Sequence, residues 1–200
     1  MAAVCNGIVV VVSRGYVAQG AELLAAADID ATLCIGGASR TKSVAAGLLT
    51  CRDLGLCPND LVGVHDAARP LASTTLINRT FAAIGDGWDA AAPGLPVVDT
   101  LKLVDSMEMA VVRTVDRQGL WTVQTPQVFR WSLLERTYLL QDQGTVGEEL
   151  ELLAATDDLG LIECAGGQVR LILGEVSNLK ITYPQDLAIA EALLAGINQP

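Results

Sequence analysis

The chain has 200 residues, 51% of them hydrophobic and 18% charged, and its 13 Lys and Arg against 23 Asp and Glu give a formal charge of −10. That composition excludes a disordered tail and a coiled coil, and a chain of this length buries roughly 70% of its unfolded surface without a metal or disulfide staple. The negative balance excludes a broad nucleic-acid or anionic-membrane footprint and leaves room for one small anionic ligand.

In chain order, residues 7–12 form an apolar β-branched run of strand length, and residues 17–26 have the composition of a helix. The alternation continues with strands predicted at 30–35 and 61–64 and helices at 43–50 and 74–84. Strands without polar alternation are buried on both faces, which predicts a parallel sheet covered by helices. The pattern then changes. Residues 97–105 and 110–117 flank a short link at 106–109, the signature of an antiparallel hairpin projecting from the sheet. Beyond it, helices are predicted at 132–141 and 146–155 and strands at 159–164, 168–173 and 178–182. Pro184 opens a last helix with Leu187, Ile189, Ala190, Leu193 and Leu194 on its apolar face. No linker or repeat interrupts the chain, so one domain is expected over 1–200, with the arm at about 97–117.

Five cysteines without a Cys-x-x-Cys pair and a single histidine, His65, argue against a zinc site or a disulfide framework. The first residues carry no basic stretch, and the run at 8–12 is too short for a signal or a membrane span, so the expected setting is cytoplasmic.

Three segments carry candidate chemistry. The run Val64-His-Asp-Ala-Ala-Arg-Pro70 follows an apolar strand, which puts Asp66 and Arg69 where parallel sheets place their ligands. An aspartate there can hold a hard divalent cation, or it can simply pair with the arginine. The run Ile35-Gly-Gly-Ala-Ser-Arg-Thr-Lys-Ser43 offers paired glycines, hydroxyls and two cations ahead of a helix that Ser43 is expected to cap. It is not a Walker loop. Only three lysines occur, Lys42, Lys102 and Lys180, and their sparsity suggests that at least two face an anionic ligand. Small polar islands at 99–102, 116–119, 124–127, 156–158 and 178–180 complete an inventory suited to a phosphorylated polyol beside a nucleotide and a metal.

Taken in order, the runs at 64–70, 99–102, 114–121, 124–127, 156–158, 178–182 and 184–187 resemble the 2-C-methyl-D-erythritol 4-phosphate cytidylyltransferases of non-mevalonate isoprenoid synthesis. The resemblance implies an α/β fold, a Rossmann-like and mostly parallel sheet of the nucleotidyltransferase type with a protruding hairpin arm, in an arm-exchanged homodimer. It implies attack of the polyol phosphate on the α-phosphate of CTP, with Mg²⁺ required. On the same resemblance Asp66 is the catalytic and metal-binding carboxylate, and Lys180 steadies the charge developing at the α-phosphate. Arg69, Thr100, Arg117, Thr125 and Thr156 are the substrate contacts, and Gly37, Ala38 and Ser43 meet the cytidine.

Family members open with a strand and a glycine-rich phosphate loop, whereas the run at 7–12 resembles their second strand. Six residues before it cannot hold a βα unit, so the expected domain lacks its first one. Ribitol 5-phosphate is an alternative polyol, although Ala67-Ala68 argues mildly for methylerythritol phosphate. A non-catalytic partner subunit is the alternative from a different class. Ser177 stands where an acidic residue is expected, which weakens a second metal carboxylate.

Overall fold

The computed structural model describes residues 4–85, 87–139 and 157–197. The first strand, β1 (Val9–Val12), leads through a short 3-10 turn into α1 (Val17–Ala26), as predicted. It pairs in parallel with β2 (Thr32–Ile35), from Val9 opposite Thr32 to Val12 opposite Ile35. Helix α2 (Arg40–Asp53) begins earlier than expected, because its cap is Ser39 and not Ser43. The Ser39 hydroxyl accepts the Lys42 N–H at 3.2 Å, and Ser43 lies a full turn inside the helix, donating to the Ser39 carbonyl at 2.9 Å. A cap must sit outside the helical backbone to reach its first free N–H groups.

β3 (Leu61–Val64) and α3 (Thr74–Ala82) follow as expected, with the Ser73 hydroxyl capping α3 through the Leu76 N–H at 2.9 Å. The next strand, β4 (Ala90–Pro96), was not predicted. It is central to a five-stranded sheet, flanked in parallel by β9 (Val169–Leu173) and antiparallel by β7 (Trp121–Val123) and β8 (Gln127–Arg130). β8 in turn pairs antiparallel with β3. Strands β3, β4 and β9 therefore run one way and β7 and β8 the other.

The predicted hairpin is present as β5 (Leu101–Val104) and β6 (Val111–Val115), a separate two-stranded ribbon. The expected helix after β8 is α4 (Trp131–Leu139). The helix predicted at 146–155 lies outside the described residues.

Two predicted strands are corrected. Residues 159–164 form helix α5 (Leu159–Cys164), since Leu159, Leu161 and Ile162 all turn inward and the Asp157 carboxylate accepts the Gly160 N–H at 2.9 Å. An apolar run this short fits a buried strand or a buried helix equally well, and the local side-chain bond tips it to helix. Residues 178–182 are irregular, because the Asn178 N–H turns back to the Glu175 carbonyl at 3.0 Å and Ile181 makes a single backbone bond, to Ala68 at 2.8 Å. The final helix, α6 (Pro184–Ile197), is as predicted, but Leu187, Ile189 and Leu194 on it are exposed and Ala190 is buried.

The core joins Leu48 of α2, Ala90 and Ala92 of β4, Phe129 of β8, Trp131 and Leu134 of α4, and Leu159 and Ile162 of α5. Helix α2 also covers β1, where a Cβ on Gly47 would come within 2.9 Å of Val11. It thereby bridges the β1–β2 pair and the larger sheet. No helix among the described residues is long and apolar enough to cross a membrane.

Candidate functional site

The loops that follow β2 and β3 meet at one edge of the molecule. β2 ends at Ile35 and Arg40 opens α2, while β3 ends at Val64 and Asp66 follows it, and Arg40 Nη2 lies 4.0 Å from Asp66 Oδ1. The loops at the carboxyl ends of two strands from different sheets thus approach each other, and the carboxyl ends of strands are where open α/β sheets bind ligands.

Asp66 is the centre of this edge, with a side chain only 19% exposed. Lys180 Nζ is 3.0 Å from its Oδ2 and Arg69 Nε 3.8 Å. With Arg40, which is shared with Asp158, three cations stand among two carboxylates, a surplus of one positive charge inside a protein of net charge −10 and an arrangement that suits an anion. The backbone of Asp66 is held by Thr125, whose hydroxyl accepts the Asp66 N–H at 3.0 Å. That hydroxyl also bonds His65 Nδ1 at 3.0 Å, and His65 Nε2 lies 3.1 Å from the Arg69 carbonyl. A carbonyl only accepts, so Nε2 carries the proton and Nδ1 accepts from Thr125. Burial holds the His65 pKa below its ordinary value and favours this neutral form. His65 is therefore a brace for the Asp66 loop.

Arg69 is buried more deeply than its sequence role implies. It donates to the carbonyls of Asn178 at 2.8 Å and Val123 at 3.4 Å, tying the Asp66 loop to the segment that carries Lys180. Asn178 is fully buried and donates to the Thr125 carbonyl at 2.9 Å and to Gln124 Oε1 at 3.3 Å. Its Oδ1 and Arg69 Nε are buried without a hydrogen-bond partner among the described residues.

Gly37 makes the loop after β2 possible, since a Cβ there would fall 2.4 Å from Lys42 Cβ. Ala38 is exposed beside it, and a Cβ on Gly36 would meet Ser43 Oγ at 2.8 Å. Of the predicted site residues, then, Asp66, Arg69, Thr125 and Lys180 form one cluster, and Gly37, Ala38 and Ser43 line the loop that Arg40 joins to it. Thr100 and Arg117 lie on the arm. Arg117 donates to the Val98 carbonyl across its base, and no described hydrogen bond or ion pair links either residue to Asp66. Thr156 lies outside the described residues. Of the three lysines, Lys180 faces Asp66, Lys102 bonds Thr114 at 2.6 Å on the arm, and Lys42 is exposed on α2.

The sequence marks Arg40 only as one of two cations in the run at 35–43 and gives it neither a partner nor a role. Its guanidinium is gripped by Asp158, whose Oδ1 and Oδ2 accept from Nη1 and Nη2 at 2.9 and 2.6 Å. The signals for the pairing were its place in that glycine- and hydroxyl-rich run and the aspartate pair at 157–158.

A family model described as "IspD: 2-C-methyl-D-erythritol 4-phosphate cytidylyltransferase" matches residues 1–196. A curated relative of that name from Rubrobacter xylanophilus is 44% identical over 162 residues, covering 80% of this chain and 64% of the relative. One from Burkholderia cenocepacia is 44% identical over 160 residues, covering 80% and 65%. The chain thus spans a little under two thirds of the length of these relatives. A crystal structure described as 4-diphosphocytidyl-2C-methyl-D-erythritol synthase superimposes with a TM-score of 0.78 at 32% identity, covering 94% of this chain and 82% of that one. The cytidylyltransferase structure from Thermus thermophilus gives 0.67 at 38% identity, covering 84% and 74%.

Proposed function

The chain belongs to the 2-C-methyl-D-erythritol 4-phosphate cytidylyltransferase family, and from that premise we propose that it transfers a cytidylyl group from CTP to 2-C-methyl-D-erythritol 4-phosphate. A phosphate oxygen of the polyol attacks the α-phosphorus of CTP, the bond from that phosphorus to the bridging oxygen breaks, and pyrophosphate leaves. The product is 4-diphosphocytidyl-2-C-methyl-D-erythritol, an intermediate of isoprenoid precursor synthesis.

The observation that carries this reading is Lys180 Nζ, 3.0 Å from Asp66 at the strand ends and nearly half exposed. Phosphoryl transfer asks the protein chiefly for positioning and for charge placed where the transition state develops it. Lys180 supplies a mobile ammonium to the α-phosphate. Asp66 holds that ammonium in place until substrate arrives, and Arg69 fixes the two loops that carry them. Gly37, Ala38 and Ser43 receive the cytidine end, where small side chains leave the backbone open to a base and ribose.

Among the described residues no group of three or more His, Cys, Asp or Glu could hold a metal. Mg²⁺ is commonly bound through one or two carboxylates and substrate phosphates, and Asp66 fits that mode with the phosphates of CTP. When bound, the ion neutralises charge on those phosphates.

The active form in this reading is a homodimer joined through the arm. Val98, Met107, Met109, Val111 and Val112 on or beside the hairpin are 60–90% exposed, an apolar ribbon that a second copy would cover. Thr100 and Arg117 then serve the neighbouring subunit's polyol site, with Thr125 and Thr156 completing it. Five free cysteines are consistent with a cytoplasmic setting.

The test is pyrophosphate release by the purified protein from CTP with Mg²⁺ and each polyol phosphate in turn. Methylerythritol phosphate should be the preferred acceptor. Preference for ribitol 5-phosphate would move the substrate assignment, and release with neither would overturn the function.

A further inference from the structure

Asp158 is the one fully buried carboxylate among the described residues, and it sits directly behind the candidate site. Three side chains meet it or its backbone. Both outer nitrogens of Arg40 donate to its two oxygens, at 2.9 and 2.6 Å. The Tyr138 hydroxyl, on α4, donates to Oδ1, and the backbone N–H of Asp158 donates to Gln127 Oε1 at 3.1 Å on β8. The Arg40 side chain is about a third exposed, and the same Nη2 that donates to Asp158 Oδ2 lies 4.0 Å from Asp66 Oδ1. One guanidinium therefore stands between a buried carboxylate that locks it and a carboxylate at the mouth.

We propose that Asp158 is a positioning residue for the transfer, acting through Arg40 to fix the loop after β2 at a set distance from Asp66 and Lys180. The inference rests on the cytidylyltransferase reading of this site. Arg40 lies inside the run from Gly37 to Ser43, so a guanidinium anchored at both outer nitrogens restrains the loop that would take the cytidine. The loop holding the base and the edge holding the reacting phosphate belong to different strands, and Arg40 ties them together. Burying an ion pair is a poor way to gain stability, since a well-packed apolar pair does as well or better. What a two-pronged pair adds is a fixed angle and distance. Burial and the neighbouring Asp158 push the Tyr138 pKa well above the ordinary phenol value, and the hydrogen bond to Asp158 raises that of Arg40. Both groups stay protonated as donors over the whole working range.

A double-mutant cycle on the purified full chain decides the matter. D158N alone should lower kcat for pyrophosphate release by about ten- to a hundredfold, the scale of loss expected when a reacting group is misplaced by about 1 Å. R40Q should give a similar loss, and the double variant should be no worse than R40Q, because both substitutions break the same link. Unchanged kcat in D158N, or losses that multiply in the double variant, would overturn the proposal, whatever happens to the melting temperature. If D158N does not fold, Y138F carries the same test: a severalfold drop in kcat in the native background and none in R40Q supports it, and equal drops in both overturn it. Should the native chain release no pyrophosphate at all, the cytidylyltransferase reading fails separately. The cycle is then read by calorimetric affinity for CTP, where coupled losses uphold the positioning role and absent or multiplying losses refute it.

Discussion

At the scale of single residues, the proposed chemistry turns on how little freedom Asp66 has. Its carboxylate is paired with Lys180, its backbone is pinned by Thr125, and Thr125 is in turn fixed by a neutral His65. Replacing Lys180 by Ala should reduce kcat by a factor on the order of 10² to 10³, as removal of one transition-state donor does elsewhere, with little change in melting temperature because the ammonium is half exposed. Steady-state kinetics and a thermal melt on the same sample check both halves. His65 makes a second prediction. Its folded pKa is held below the value near 6.5 of an unfolded chain by burial. As pH falls below about 6.5 the unfolded state takes up this proton before the folded state does, so stability is full above that pH and declines through the window beneath it. The decline should be smaller in H65Q, whose amide N–H replaces the Nε2 donor. Melting temperatures of both proteins between about pH 7.5 and 5.5 measure the difference. Asp66, Arg69 and Lys180 were legible because each sits in a short polar island beside an apolar run. Arg40 was not, because its partner Asp158 lies 118 positions away and nothing local marks the pair.

At the scale of elements, the first three strands and the helices among them were legible because they are β-branched or helix-rich runs that behave locally as they do in the fold. Strand β4 was not. Its sequence, Ala-Ala-Ala-Pro-Gly-Leu-Pro, has helix-forming alanines and two prolines, and it becomes a strand because neighbours on both sides leave a narrow position in which the small residues 90–94 are buried. Gly94 shows how narrow it is: an added Cβ would sit 3.0 Å from the Thr122 carbonyl. Helix α5 was misread for the opposite reason. Its apolar run carries no periodicity, and the bond from Gly160 to Asp157 that starts it has to be seen. Replacing Asp157 by Ala removes that acceptor and should destabilise the protein by about 0.5–2 kcal/mol, the range for losing a helix-start side chain. Urea unfolding with an unchanged m-value would verify the loss, and no change in midpoint would show that the helix starts without it.

At the scale of the whole molecule, the proposed dimer makes the arm the element that decides how many chains make a site. The hairpin was legible from two apolar runs and a short link, yet its partner was not, because a ribbon with exposed Met107, Met109, Val111 and Val112 looks the same whether it lies against its own chain or another. If Arg117 serves the neighbouring subunit, R117A and K180A homodimers should each be nearly inactive, and mixing them after exchange should restore roughly a quarter of native activity, since random pairing gives half mixed dimers with one complete site of two. No recovery in a mixture shown to exchange would place Arg117 in its own chain's site.

The proposed transfer depends on Asp66 and Lys180, brought together by the loop after β3 and the loop before α6. Pyrophosphate release from CTP that depends on methylerythritol phosphate, measured side by side on the native chain and on K180A, puts that dependence to the test. The expected result is turnover by the native chain and loss of it in a K180A protein that still melts cooperatively at the native temperature. Equal turnover by the two proteins would refute the assignment.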